Sequence, residues 1–515
     1  MGSTGELILF LTPVLLVYLY VKLNDVKLSN IPPEVWSQAT GNFSPENILS
    51  TATRLKEFPP QINSRLPPRT GRRYIIVGGS GFLGGWIVNH LLTRGEDPKN
   101  IRILDIRAPT RSDITQGPGK LVEFAQIDVA DKDSVIAGFT EPWPPEASQD
   151  ANITVFCTAA NIRFYEKHPA LLPRSLRVNV TGLEHVIKGS LHCGATILVA
   201  TSSGSLGVRS SRFLLTPWES QPKFFAQVLR DDTAESTRPH CTFASNYAYS
   251  KMVGEARVLA ADKSSGAGGK YLRTGAIRPG NGVYGVGGDQ IAENSLKNPD
   301  VRLTWLPNTV QHFIFVENCS LAHLCYEQRL VELADGGQNP DIGGKPFIVT
   351  DAGPPAAYGD CYRVLETLTD VRFRVLSPTL MLLLAYMVQA YHLTTHFLSQ
   401  SPNVFLRTAG AFLPQLSSLV ANFQPPVWNV TNSHLIFDSS NARASPDAGG
   451  LGYEPTVLDY QSGRVVDHGH ASGGGNSSFV TCVKWLREVV FLSPVTLVSR
   501  DRRDLLSHRS KVSMT

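Results

Sequence analysis

The chain has 515 residues, 42% of them hydrophobic and 18% charged, with a formal net charge of +4. That composition excludes global disorder and leaves room for two or three domains. With no sustained basic stripe, it also argues against nucleic acid as a partner.

Residues 7–21 read LILFLTPVLLVYLYV and carry no charge. The run is short for a spanning helix, which needs about 20 apolar residues. It lacks the basic start and the small-residue cleavage site of a signal peptide, and it precedes a Pro-rich stretch. Residues 1–23 are therefore expected to form an N-terminal transmembrane anchor rather than a buried core helix. Glu6 precedes the run while Lys22 and Lys27 follow it, so the positive-inside rule puts the body of the protein in the cytosol. Residues 24–71, punctuated by Pro32-Pro33, Pro59-Pro60 and Pro67-Pro68, are expected to be a spacer, with one short helix opening at Ser44-Pro45.

From Arg72 short apolar strands alternate with helices. Strands are expected over 74–77, 101–104, 122–127, 153–156, 196–200 and 275–277, with the first helix following Gly81. This alternation predicts an α/β fold, a doubly wound parallel sheet with helices on both faces. Beyond residue 280 the alternation weakens, and 281–490 is read as a substrate-binding region. Within it, 376–393 is strongly apolar and opens at Ser377-Pro378, which reads either as a buried helix or as a patch dipping into a membrane. Residues 461–478, with His468 and His470, read as loop, and 491–515 as a polar tail. The seven cysteines, Cys157, Cys193, Cys241, Cys319, Cys325, Cys361 and Cys482, form no CxxC pair. Free thiols are the simpler reading, and no metal site is expected.

Gly78-Gly79-Ser80-Gly81-Phe82-Leu83-Gly84 follows the first strand and opens the first helix. Glycines there let backbone approach a pyrophosphate, and the helix N-terminus offers unpaired N–H groups. A glycine loop alone is often a plain turn. Asp105, ending the second strand, raises the reading, because a carboxylate there accepts hydrogen bonds from ribose hydroxyls and repels a 2′-phosphate. NAD is favoured, with NADP left open by Arg107 two residues on. Asp128-Val129, after the third strand, is placed to meet the adenine or simply to turn the chain.

Tyr247-Ala-Tyr-Ser-Lys251 is the sharpest signal. Tyr247 and Lys251 share one helix face. The lysine ammonium is expected to lower the phenol's pKa, so that the phenol exchanges a proton with a substrate hydroxyl. Tyr249 points elsewhere. A third group is expected where the strand ending at Ala200 runs into Thr201-Ser202-Ser203. Ser203 is the choice, with Ser202 and Ser205 as rivals. Asn179 is placed to cap or bridge the supporting helix.

These blocks resemble the extended short-chain dehydrogenases, and within them the 3β-hydroxysteroid dehydrogenase branch, nearest the decarboxylating sterol-4α-carboxylate 3-dehydrogenases. The match runs in order through IIVGGSGFLGGW (75–86), ILDIR (103–107), VFCTAA (155–160), NVTGLEHVI (179–187) and LVATSSGSLGV (198–208). It continues through YAYSK (247–251), AIRPGNGVYGVGGDQ (276–290), HFIFVENCSLAHL (312–324), PFIVTDAGPP (346–355) and LGYEP (451–455). The resemblance implies a Rossmann NAD(P)-binding domain over 72–280 with a smaller C-terminal substrate domain. It implies Tyr247, Lys251 and Ser203 as catalytic residues, and adds Phe82, Leu83, Ala159 and Pro279 to the cofactor-binding set. It further implies oxidation of a 3β-hydroxyl on a sterol, triterpenoid or other lipid-like alcohol at the endoplasmic reticulum membrane. Loss of a C4 carboxylate as CO2 and a homodimer both stay open. The alternatives are a nucleotide-sugar epimerase or dehydratase, which shares the Tyr/Lys pair, and a dinucleotide-binding sensor without turnover.

Overall fold

Short continuous apolar runs, buried on both faces, build the centre of the molecule. The computed structural model describes residues 3–38, 43–57, 62–233, 237–289 and 301–455. The loop with His468 and His470, the polar tail, and the rest of the chain beyond 455 lie outside the described residues. Seven strands, β1 (Arg73–Val77), β2 (Ile101–Asp105), β3 (Glu123–Gln126), β4 (Ile153–Cys157), β5 (Ile197–Thr201), β6 (Tyr271–Pro279) and β7 (Pro346–Val349), form one parallel sheet. Their order is β7-β6-β5-β4-β1-β2-β3. The chain winds outward in both directions from the β1/β4 pair, and such sheets bind ligands at the carboxyl ends of the strands where the order reverses. This is the doubly wound sheet the sequence predicts.

The N-terminal segment departs from expectation. Helix α1 (Ser3–Ser29) does not stop at Lys22 but runs on into the body. Asn24 is buried, donating from Nδ2 to the Phe213 carbonyl (3.0 Å) and to Thr379 Oγ1 (2.8 Å), and accepting Leu215 N–H (3.0 Å). A buried amide with its hydrogen bonds made locks position and direction together. Among the described residues no helix is long and apolar enough to cross a membrane, so the spanning anchor expected over 1–23 is not supported. Residues 24–71 are not a free spacer either, since Leu28, Val35, Ile48, Leu55 and Ile62 are all buried. Helix α2 (Pro45–Glu57) opens where Ser44-Pro45 predicts, with Ser44 Oγ accepting Asn47 N–H at 3.3 Å. Its Ile48 and Leu55 lie on one face, packed with Val364 and Leu365. Prolines set the ends of these short elements without loosening them from the core.

The sheet buries both faces. Tyr74 and Ile76 of β1 point into one core with Ile87, Val88 and Leu91 of α3 (Phe82–Thr93) and with Leu324 and Tyr326 further along the chain. Ile75 and Val77 point the other way, toward Val135 and Phe139 of α4 (Lys132–Thr140), Val186 of α5 (Leu183–His192) and Val258 of α6 (Asn246–Ala260). Helix α7 (Val316–Ala334) supplies Leu324 and Tyr326. Together, α7 and β7 carry the Rossmann unit past residue 280, where the sequence pattern alone places its end. A parallel strand needs a crossover of a dozen residues or more, and the long crossover here, from Pro279 to Pro346, hides the alternation.

The helices that follow β7 form a second layer. Helix α8 (Tyr358–Leu368) covers α2, and α9 (Pro378–Ser399) opens at Ser377, whose Oγ accepts Leu380 N–H at 3.2 Å. Helices α10 (Val404–Phe412) and α11 (Ser418–Ala421) fold back on α9. Leu382 and Ala385 of α9 share a core with Leu28 of α1, Phe213 and Trp428.

Candidate functional site

The glycine loop joins β1 to α3 by a turn that larger residues do not fit. Gly78 has φ +87°, and a Cβ on Gly84 would lie 2.2 Å from the Gly78 carbonyl oxygen. The helix therefore starts hard against the turn, with no side chain capping its N-terminal amides, and unpaired N–H groups at a helix start suit phosphate. Asp105 at the end of β2 reaches across, its Oδ2 accepting Ser80 N–H (3.1 Å) and its Oδ1 accepting Arg107 N–H (3.2 Å). Each oxygen keeps a lone pair for a ribose hydroxyl. Ser80 Oγ is buried without a partner. An orphaned hydroxyl between the glycines and the acid is a cost that a bound dinucleotide would remove.

The other expected cofactor residues are divided. Ala159 N–H donates to the Val77 carbonyl at 3.2 Å, which sets it beside Gly78. Phe82 and Leu83 form the first turn of α3, and Pro279 ends β6. Asp128 pairs with Arg177 at 3.5 Å and holds its own turn through Ala130 N–H at 2.9 Å. Val129 packs against Gly182, while its carbonyl meets His185 Nδ1 at 2.9 Å. Both therefore have structural work. Arg107 has an exposed side chain. Arg111, which carries no motif, reaches the loop instead. It stacks on Trp86 (4.8 Å) and donates to the Phe82 carbonyl (3.4 Å).

Across the strand ends, Ser203 follows β5 and caps a tight turn, with Oγ accepting Ser205 N–H (3.2 Å) and 2.8 Å from Ser205 Oγ. Ser203 also lies close enough to the Tyr247 phenol to lower its pKa. Ser245 starts α6 by accepting Ala248 N–H at 3.2 Å, and one turn separates Tyr247 from Lys251 on the face turned to β5. Tyr249 turns away between His240 (5.0 Å) and Phe243 (5.4 Å). Ser202 Oγ, the first rival, is buried and unpartnered.

Electrostatics correct one expectation. Burial pushes the Tyr247 phenol above its ordinary value, and the Ser203 hydroxyl only partly offsets this. Lys251 does not act on it here. Its Nζ donates to the Thr201 carbonyl at 2.6 Å, and burial lowers its ammonium against the pull of Cys157 and Glu255. A buried lysine takes the nearest acceptor, because an unpaired ammonium costs more than an unpaired phenol. Thr201 is in turn held by His323, whose Nε2 lies 2.8 Å from Thr201 Oγ1 while Nδ1 meets the Cys319 carbonyl at 2.8 Å. Nδ1 must carry the proton to bond that carbonyl, so Nε2 accepts from Thr201. Burial keeps the ring neutral, pushing its pKa down to about 4.

The profile of the 3-beta hydroxysteroid dehydrogenase/isomerase family matches residues 75–374, more than half of the chain. The chain belongs to that family. It is 26% identical over 293 residues to mouse 3 beta-hydroxysteroid dehydrogenase type 7, covering 56% of this chain and 70% of that protein. It is 25% identical over 426 residues to 3beta-hydroxysteroid-dehydrogenase/decarboxylase isoform 2 of Arabidopsis thaliana, covering 79% of this chain and 64% of that protein. Among solved structures, an epimerase from Methanothermobacter thermautotrophicus is 15% identical with TM-score 0.47, over 82% of this chain and 94% of that one. The strand order, rather than that superposition, establishes the fold. The family makes the protein an oxidoreductase and NAD its cofactor.

Two further features brace the site. Asn179 sits in a π-helical turn (Arg177–Gly182) leading into α5. Its side chain accepts Asn161 N–H (2.8 Å) and donates to the Asn161 carbonyl (3.1 Å) and Ser250 Oγ (2.9 Å). It thus ties the chain after β4 to α6, as a bridge rather than a cap, and π turns of this kind are frequent at functional sites. The chain after Asn161 then places Glu166, fully buried, whose Oε1 lies 3.1 Å from Arg163, 3.2 Å from Arg174 and 3.5 Å from His392. The Glu166 carbonyl accepts Asn246 N–H at 2.8 Å, one residue from Tyr247. Through Glu166, α9 is thus linked to the first residue of α6, the helix that carries Tyr247.

Proposed function

We propose that the protein oxidises the 3β-hydroxyl of a sterol or sterol-like triterpenoid to the ketone with NAD, and that a C4 carboxylate, where the substrate carries one, leaves as CO2. The observation that carries this reading is the Ser203–Tyr247 hydroxyl pair at the end of β5, within the stretch that matches the family profile. Tyr247 takes the proton of the C3 hydroxyl while Ser203 holds the same oxygen. Lys251, one helical turn away and anchored on the Thr201 carbonyl, keeps further N–H donors for the nicotinamide ribose. Asp105 receives the ribose hydroxyls, and Ser80 with the first turn of α3 receives the pyrophosphate. NAD, when bound, accepts the hydride from C3. The 3-ketone makes any C4 carboxyl compound a β-keto acid, which sheds CO2 with little help from the protein. Lipid-like substrates fit a protein working at the endoplasmic reticulum membrane, as the exposed apolar N-terminal run suggests.

The test is NADH formation by the purified chain with a 4-carboxysterol, a plain 3β-hydroxysteroid and a nucleotide sugar. NADH with a sterol, and CO2 release with the carboxysterol alone, are the expected results. Turnover of the nucleotide sugar only would overturn the reading.

A further inference from the structure

On the function proposed above, on which this reading depends, we infer that Arg163 selects the substrate: its guanidinium receives a carboxylate at C4, which makes a carboxylated sterol the preferred substrate. Arg163 lies in Ile162-Arg-Phe-Tyr165, in the chain that follows β4. That chain leaves the carboxyl ends of the strands, where sheets of this kind take their ligands. Three contacts hold it beside the reacting groups. Asn161 is fixed to Asn179, which also reaches Ser250 on α6. Phe164 packs against the cluster of Val208 and Leu229, and Val208 closes the turn that Ser203 caps. The Glu166 carbonyl accepts the N–H of Asn246, the neighbour of Tyr247.

Two guanidiniums share one carboxylate here. Glu166 is fully buried, and its Oε1 alone meets both Arg163 Nη1 (3.1 Å) and Arg174 Nη1 (3.2 Å), while Oε2 is buried without a hydrogen-bond partner. Among the described residues neither arginine pairs with a second acid, so one positive charge is left unbalanced. Arg174 also uses Nη2, which lies 3.1 Å from His396 Nδ1. Arg163 uses only Nη1, which reaches Tyr165 Oη at 3.1 Å as well. Among the described residues its Nε and Nη2 have no acceptor. Those two nitrogens share one edge of the guanidinium and present the parallel N–H pair that a carboxylate accepts at two points. The Arg163 side chain keeps 35% of its surface open to solvent, so a ligand can reach it.

The neighbours of Arg163 suit an acid with an apolar body. Ile162 is 54% exposed, and Phe164 and Tyr165 are only partly buried. One cation set among apolar side chains is the pattern of a site that binds by burial and orients by charge. In the substrate, C4 adjoins the carbon whose hydroxyl meets Tyr247, so carboxylate and reacting hydroxyl fall at the same end of the molecule. The bridge serves binding and oxidation, not the loss of CO2. As the bond from C4 to the carboxyl carbon breaks, its electron pair passes into the enolate of the 3-ketone, which then takes a proton at C4. The carboxylate thus gives up its charge in that step. An interaction made before the reaction and not strengthened during it lowers KM and leaves kcat alone.

The experiment measures NADH formation by the full chain and by its Arg163→Gln and Arg163→Lys variants. Each is given a 4-carboxysterol and the same sterol with a 4-methyl group, over a range of concentrations. Wild type should prefer the carboxysterol in kcat/KM. Arg163→Gln should cut that preference at least about tenfold, through KM rather than kcat, because a charge-assisted two-point hydrogen bond is lost. Arg163→Lys keeps the charge but not the fork and should fall between the two, which keeps the test readable should the glutamine variant fail to fold. NAD affinity by calorimetry checks the fold of each. A preference unchanged in both variants, or a wild type that oxidises the two sterols equally well, would overturn the role of Arg163 and leave the oxidation standing. A wild type that reduces NAD with neither sterol would overturn the oxidation itself, and the role of Arg163 with it.

Discussion

Replacing Glu255 by methionine should destabilise the protein severely, because it strands a buried cation. Arg278 near the end of β6 and Glu255 on α6 are 4% and 3% exposed and meet through two hydrogen bonds, Nε to Oε2 at 2.8 Å and Nη2 to Oε1 at 2.5 Å. Once the carboxylate is gone, the guanidinium keeps the Asp231 carbonyl at 2.6 Å as an acceptor. Breaking one partner of such a buried pair costs about 3–5 kcal/mol, while removing both with apolar residues of similar volume is near neutral. Urea unfolding followed by tryptophan fluorescence should thus give Glu255→Met a loss of about 3–5 kcal/mol, and the Glu255→Met/Arg278→Met double variant should recover most of it. Activity should move as well. Glu255 helps hold the Lys251 ammonium up against burial. In the double variant that ammonium should titrate at lower pH, drawing the alkaline limit of oxidation downward. A single variant within about 0.5 kcal/mol of wild type, the range of ordinary surface substitutions, would refute the reasoning.

Ser203→Ala removes the hydroxyl that partly offsets burial at Tyr247, so the phenol's pKa should rise, and the acid limb of the pH–rate profile for oxidation should move to higher pH along with a fall in kcat. Gly84→Ala puts a methyl 2.2 Å from the Gly78 carbonyl. It should abolish measurable NAD binding by calorimetry while leaving the Ser203–Tyr247 end of the fold intact by circular dichroism. Asp105→Asn removes the charge that repels a 2′-phosphate, and the ratio of kcat/KM for NAD over NADP should fall by about tenfold or more, since one such interaction is worth about 1.5–3 kcal/mol.

The parallel sheet and both halves of the site were legible because their signals are local. Gly78 to Gly84 sits between a strand and a helix, Asp105 ends the next strand, and Tyr247 with Lys251 needs only the pitch of one helix. The failures come from contacts distant in sequence. Lys22 reads as the end of an apolar run, but Asn24 two residues later is buried against Phe213 and Thr379, which no window at the N-terminus shows. The prolines of 24–71 read as a linker because their sequence is silent about Ile48 and Leu55 packing beneath Val364. Lysine-to-tyrosine spacing predicts shared geometry but not the competing acceptor, the Thr201 carbonyl, which arrives from β5. Arg111 and Glu166 lie in no motif, and His323 lies in a matching block that gives no sign of its role. Their roles appear only when Trp86, Thr201 and Asn246 are brought to them by the fold.

The most direct test compares Tyr247→Phe with wild type in two assays, steady-state NAD reduction with the best sterol and NAD affinity by calorimetry. Loss of the acid/base hydroxyl should lower kcat by about 10²–10⁴-fold and leave NAD affinity within about twofold. Turnover kept near the wild-type rate would contradict the assignment of Tyr247 as the proton acceptor.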